Sequence, residues 1–202
     1  MTLDRLRPLA DKGLSPWVGL AARLGLTPNG VSLIAFGVAI AAGAAFVAAG
    51  QEPLYYVAGG VLVGLSGWLD LVDGALARKL DVASAKGDLL DHVLDRYADI
   101  VLIAGLAAGI ERYAIGFAAV TGVVMTSYMG TQIQAVGLGR EYGGLIGRAD
   151  RMVLIGVAAA ATAAYPDPIE SLTIVAWLLV FFAIVGHFTA VQRFWGAWAD
   201  VE

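Results

Sequence analysis

Six stretches of this chain, at 30–49, 54–76, 88–110, 113–137, 150–165 and 169–192, are apolar over the length, or nearly the length, that a bilayer core demands of a helix. Inside hydrocarbon every backbone N–H and C=O must find its partner within the protein, so runs of this kind fold as helices. The remaining composition agrees: of 202 residues 59% are hydrophobic and 15% charged, and the mean hydropathy is +0.76. The expectation is therefore an all-α integral membrane protein, a single domain over 1–202 with a six-helix bundle at 29–193. Residues 1–28 alternate Leu, Trp and Val with Arg, Lys and Asp at near-helical spacing. They are expected to form an amphipathic helix in the membrane surface, broken into pieces by Pro8, Pro16 and Pro28. The N-terminus lacks the basic end, apolar core and cleavage site of a signal peptide, so no processing is expected.

The loops orient the bundle. With six spans, one face carries Arg5, Arg7, Lys12, Arg23, Arg78, Lys79, Lys86, Arg96, Arg140, Arg148, Arg151 and Arg193, and the other only Arg112. Basic residues mark the cytoplasmic side, so both termini and any chemistry are expected there, in a cell membrane. The opposite connections, around "GQEP" and "YPDPIE", are short and hold no Lys or Arg. The basic residues are scattered rather than clustered, which excludes a nucleic-acid groove. There is no cysteine, so thiolate metal sites and disulfides are excluded as well.

Against this background "LDLVDGALARKLDVASAKGDLLDHVLDR", residues 69–96, is anomalous, with six aspartates between two apolar runs. At about 100° per residue, Asp70 and Asp73 lie about 60° apart on one helical face, and Asp91 and Asp95 about 40° apart on another. Carboxylates converging near a bilayer repel each other and require cations. An all-oxygen donor set suits a hard divalent ion, Mg²⁺ or Mn²⁺. Asp81 and Asp88 are expected at the wet end, paired with Arg78, Lys79, Lys86 or Arg96. Asp99 continues the Asp88, Asp91, Asp95 stripe and is expected to support Arg96 or a neighbouring helix. Gly74 and Gly87 leave side-chain-free positions beside both acidic faces, Ala77 is similarly small, and Arg78 is placed to meet an anion.

Residues 70–95 read D-x2-D-G-x2-A-R-x8-G-x3-D-x3-D, which resembles the signature of the CDP-alcohol phosphotransferase family, with all eight positions filled. The surface helix, the six spans and the "LTPN" at Leu26–Asn29 resemble the family too. What the resemblance implies is transfer of a phosphoalcohol group from a CDP-alcohol to a second alcohol with release of CMP, using two divalent ions. It implies that Asp70, Asp73, Asp91 and Asp95 are metal ligands, that Asp95 is also the general base, and that Asp70, Asp73, Gly74, Ala77, Arg78 and Gly87 bind the CDP moiety. It implies a homodimer among membrane lipids.

The acceptor is less constrained. Arg148 and Arg151 stand one turn apart, and Arg193 ends the last apolar run in "VQRFWGAW". All three are expected to bind an acceptor phosphate, although Arg193 beside Trp195 and Trp198 equally fits an interfacial anchor. "IGRADR" and "VQR" resemble the branch that makes phosphatidylinositol phosphate or archaetidylinositol phosphate. Gly130 and Gln132 depart from it, standing where that branch usually has Lys and Arg. The donor is expected to be a CDP-linked lipid and the acceptor a phosphorylated polyol such as inositol phosphate, with glycerol 3-phosphate, serine, inositol or a soluble CDP-alcohol as alternatives. A divalent-cation transporter would also place carboxylates between helices. It would not require Gly74, Ala77, Arg78 and Gly87, and would need a pathway to a face where only short loops remain.

Overall fold

The structure, a computed structural model, describes residues 7–139 and 146–200, with side chains from residue 13 onward. Arg5, Arg140 and the first six residues of the juxtamembrane segment lie outside the described residues, as do the side chains of Arg7 and Lys12. Among the described residues the protein is helical without strands: α1 (Arg7–Arg23), α2 (Pro28–Ala48), α3 (Leu54–Leu80), α4 (Ala85–Gly109), α5 (Tyr113–Ala135), α6 (Arg148–Ala164) and α7 (Ile174–Asp200).

Local chemistry sets the boundaries. Thr27 caps α2 by accepting the Gly30 N–H at 3.1 Å, and Pro28 fills the first turn, where no intrahelical N–H is needed. Asp81 ends α3 in the left-handed region, φ 54° and ψ 40°, which Asp tolerates better than most residues. Ser84 then caps α4 through the Gly87 N–H at 3.2 Å. The acidic stretch is thus a tight hinge between two helix ends.

Two expectations about element ends are corrected. Pro16 lies inside a continuous α1 rather than breaking it. Leu14, Val18 and Ala21 pack on Val31, Val72 and Leu76, and that burial offsets the lost backbone hydrogen bond. The last helix starts at Ile174, not 169, because Ile169 and Leu172 pair their backbones in a turn.

Four helices, α2, α3, α5 and α7, are long and apolar enough to cross a membrane. The other two expected spans fall short for visible reasons. α4 carries Asp88, Asp91, Asp95, Arg96 and Asp99 in its N-terminal part, and α6 is only 17 residues long with Arg148, Asp150 and Arg151 in its first turn. Large apolar side chains such as Phe117, Ile184, Val61 and Leu54 face outward, as they do when the solvent is lipid.

Helices α2 to α7 close into a ring in which α2 separates α3 from α4, α5 joins α4 to α7, and α6 joins α7 back to α3. The closest approaches use glycine: a Cβ on Gly105 of α4 would stand 2.4 Å from the Gly43 carbonyl oxygen of α2. In lipid, where apolar burial gives helices no preference for each other, such backbone contact drives association. Through α2 the acidic ends of α3 and α4 are held facing the same space.

Candidate functional site

Asp70 of α3 and Asp91 and Asp95 of α4 bring one carboxylate oxygen each to within 4.8 Å of one another. All three are half-buried. Asp73 stands beside this trio rather than in it: buried, it accepts the Ser32 hydroxyl of α2 at 2.6 Å on Oδ2. The donor set is all carboxylate oxygen, the choice of a hard divalent ion, so the residues fit the metal that the motif implies. Three of the four expected ligands converge, and the fourth is oriented by a serine that spacing within the motif could not reveal.

Arg148, the first residue of α6, enters this cluster. Its Nη1 donates to Asp70 Oδ2 and its Nη2 meets Asp95 Oδ1, both at 2.8 Å. One turn on, Arg151 donates to Asp99 Oδ2 at 2.7 Å, with the two side chains 7% and 4% exposed. Arg96 lies between two of the aspartates of its own helix, 3.6 Å from Asp95 and 3.2 Å from Asp99, and bonds Ser127 of α5. The result is a chain of alternating charge, Asp70, Arg148, Asp95, Arg96, Asp99 and Arg151, that ties α3, α6 and α4 together. Asp99 supports Arg96 and a neighbouring helix, as its place in the stripe suggested. Asp88 is exposed and faces His92 of its own helix at 3.4 Å rather than a Lys or Arg, because a single helical turn brings these two together.

The motif's small residues lie on the same ends of α3 and α4. Arg78 is exposed and folds back along its helix, its Nη1 3.5 Å from where a Cβ on Gly74 would lie. Gly87 faces α2: a Cβ there would stand 3.4 Å from Asn29 Oδ1. Ala77 is half-buried on the same helix end. Arg193 of α7 donates to the Thr126 carbonyl at 2.6 Å. Thr126 and Arg151 share a small cavity of about 20 Å³ with Ile146, Phe182, Val185 and Thr189, room for a single water. Of the three arginines expected at an acceptor, Arg148 therefore lies on the carboxylate cluster itself, while Arg151 and Arg193 flank Thr126. Ser32, Ser127 and Thr126 are the participants that motif reading missed. They come from helices remote in sequence and carry no spacing signal.

These features, a carboxylate cluster at the facing ends of α3 and α4 beside side-chain-free positions and convergent arginines, belong to a known class. Residues 25–200 match the CDP-alcohol phosphatidyltransferase family, and the chain belongs to that family of phospholipid-building transferases. It is 30% identical over 157 residues to the archaetidylinositol phosphate synthase of Pyrococcus horikoshii, covering 77% of this chain and 81% of that one. It is 29% identical over 205 residues to the archaetidylinositol phosphate synthase of Methanothermobacter thermautotrophicus, covering 99% and 96%. In fold it is similar to Mycobacterium tuberculosis phosphatidylinositol phosphate synthase, solved with CDP-DAG bound, at a TM-score of 0.79 and 24% identity over 92% of this chain and 93% of that one. The same enzyme has been solved with manganese and citrate, with a TM-score of 0.79 and 88% of that chain covered.

Proposed function

We propose that this protein transfers a phosphatidyl or archaetidyl group from a CDP-linked lipid to a phosphorylated polyol, inositol phosphate being the first choice, and releases CMP. The observation that carries the reading is the convergence of Asp70, Asp91 and Asp95, three motif carboxylates from two helices, with Asp73 beside them. The relatives named for archaetidylinositol phosphate synthesis supply the choice of acceptor.

Each residue then has a task. Asp70, Asp73, Asp91 and Asp95 hold two divalent ions, Mg²⁺ or Mn²⁺, and Asp70 and Asp73 together with Gly74, Ala77, Arg78 and Gly87 form the CDP site. When bound, the ions neutralise the pyrophosphate and the charge that develops on departing CMP. Gly74 and Gly87 admit the nucleotide's phosphates close to the backbone, and Arg78, lying over Gly74, meets their oxygens in the planar geometry that arginine offers. Asp95 takes the acceptor's hydroxyl proton. The acceptor oxygen forms a bond to the lipid-bearing phosphorus as the bond from that phosphorus to the CMP oxygen breaks, so CMP leaves with that electron pair. Arg148, Arg151 and Arg193 supply the cationic wall for the acceptor phosphate, supported by their grouping on α6 and α7 at the same end of the bundle.

The remaining architecture follows the same reading. Helices α2 to α7 all span the membrane, α4 and α6 being tolerated because their charges face one another inside the ring. The domain is single, α1 lies along the membrane surface through its exposed Trp17 and Leu20, and both termini and the site are cytoplasmic. The working unit is a homodimer.

The test is CMP release by the purified protein with Mg²⁺ or Mn²⁺ and a CDP-lipid, run separately with inositol phosphate, glycerol 3-phosphate, serine and inositol. Turnover with inositol phosphate alone is the expected result, and turnover with another acceptor alone would overturn the acceptor assignment. Asp91→Asn is expected to abolish CMP release while leaving thermal unfolding unchanged. Wild-type turnover in that variant would refute the ligand assignment.

A further inference from the structure

Arg148 holds two of the three converging carboxylates at once. Its Nη1 and Nη2 reach Asp70 Oδ2 and Asp95 Oδ1 at 2.8 Å each, and its Nε is buried without a hydrogen-bond partner. A guanidinium in that position supplies a charge where a ligand cation would supply one. By formal charge Asp70, Arg148, Asp95, Arg96, Asp99 and Arg151 alternate and sum to zero, while Asp91 and Asp73 add two negative charges. A divalent ion entering against Asp70, Asp91 and Asp95 therefore faces a guanidinium fork already seated on two of its ligands, and like charges at such distances repel strongly away from bulk water.

The helix that carries Arg148 is anchored independently. Arg151, one turn along α6, is buried on Asp99. The Gly147 N–H at the start of the helix donates to Asp150 at 2.9 Å, closing the first turn on itself. The Arg148 side chain can leave the cluster by rotating its own torsions while α6 stays in place.

We propose that Arg148 is the resident counter-cation of the carboxylate cluster and exchanges with the divalent ion: metal entry displaces the guanidinium, which then becomes available to the anionic acceptor. This rests on the metal-dependent reading above. It gives the site an order of events, in which the acceptor's phosphate gains its arginine only once the carboxylates are occupied. By reciprocity of linked binding, an acceptor phosphate that captures Arg148 tightens the metal.

The experiment is a Mn²⁺ titration followed by the electron paramagnetic resonance signal of the free aqueous ion, on detergent-solubilised full-length protein without any CDP-lipid. Arg148→Gln, which removes the competing charge, is expected to bind Mn²⁺ roughly 5–150-fold more tightly than wild type, the range of ordinary coupling between sites. CMP release by the same variant should fall. Arg148→Lys, whose single ammonium cannot bridge both carboxylates, should lie between the two. Adding inositol phosphate should tighten Mn²⁺ binding in wild type and have no such effect in Arg148→Gln. Equal or weaker Mn²⁺ affinity in both variants overturns the exchange and leaves the metal-dependent reading intact. No Mn²⁺ binding by any of the three proteins overturns both.

Discussion

Replacing Asp99 by Asn should destabilise this protein more than almost any other single change of polarity. The Asp99 side chain is 4% exposed and Arg151 is 7% exposed, with 2.7 Å between them. The amide keeps the shape and one acceptor, but leaves the Arg151 guanidinium buried without a counter-charge. Breaking a buried pair from one side costs about 3–5 kcal/mol, whereas replacing both members by apolar groups of similar size is often neutral. For a chain of this length about 1 kcal/mol moves the melting point by about 2–4 °C, so Asp99→Asn should lower Tm by roughly 6–20 °C. Arg96 softens the loss only in part, since it keeps Asp95 and Ser127 as partners. The assay is thermal unfolding in detergent followed by tryptophan fluorescence, on wild type, Asp99→Asn and the double variant Asp99→Leu/Arg151→Met. The double variant should recover most of the lost stability. A shift under about 2 °C for Asp99→Asn, or a double variant no better than the single, would refute the claim that the charge, rather than the packing, dominates here.

Two further perturbations probe the scaffold around the cluster. Ser32→Ala removes a 2.6 Å hydroxyl bond to buried Asp73. It should cost about 1–3 kcal/mol of stability and lower kcat for CMP release by about tenfold, with Ser32→Thr restoring much of it. Unchanged kinetics would show that Asp73 needs no orienting partner. Gly105→Ala places a Cβ 2.4 Å from the Gly43 carbonyl oxygen. Overpacking of this kind costs about 1–3 kcal/mol, and because α2 holds α3 and α4 in register, activity and Tm should fall together; a loss of neither would mean that the α2–α4 contact is not what aligns the carboxylates.

Much of the candidate site is legible in the sequence. The spacing of Asp70, Asp73, Asp91 and Asp95 put two carboxylates on one face of each helix, and the flanking Gly74, Ala77, Arg78 and Gly87 marked the same helix ends. Less legible was everything that depends on a third helix. Ser32 reaches Asp73 across 41 residues of chain and Arg148 reaches Asp70 across 78, and no local period encodes such pairings. That Arg148 sits among the carboxylates is not legible in the sequence, because a motif shows which residues share a face but not which cation meets them. Helix ends were blurred where a turn shares the composition of the span beside it, as at 169–173, and Pro16 misled because burial of α1 against α2 and α3 overrides a local helix-breaking preference.

By itself the sequence determined the helical class, the medium and the identity of the acidic motif. Hydrophobic length and helical periodicity are properties of neighbours along a chain, and lipid leaves a long apolar segment one conformation to adopt. The tertiary structure decided which carboxylates meet, which are shielded by Ser32 or by arginine, and where the charge balance falls. α3 and α4 are consecutive in sequence, yet their acidic ends converge because α2 lies between them, packed so closely at Gly43 and Gly105 that backbone meets backbone. A Coulomb interaction depends on distance through space and on exclusion of water, and both were settled only when the ring of helices closed.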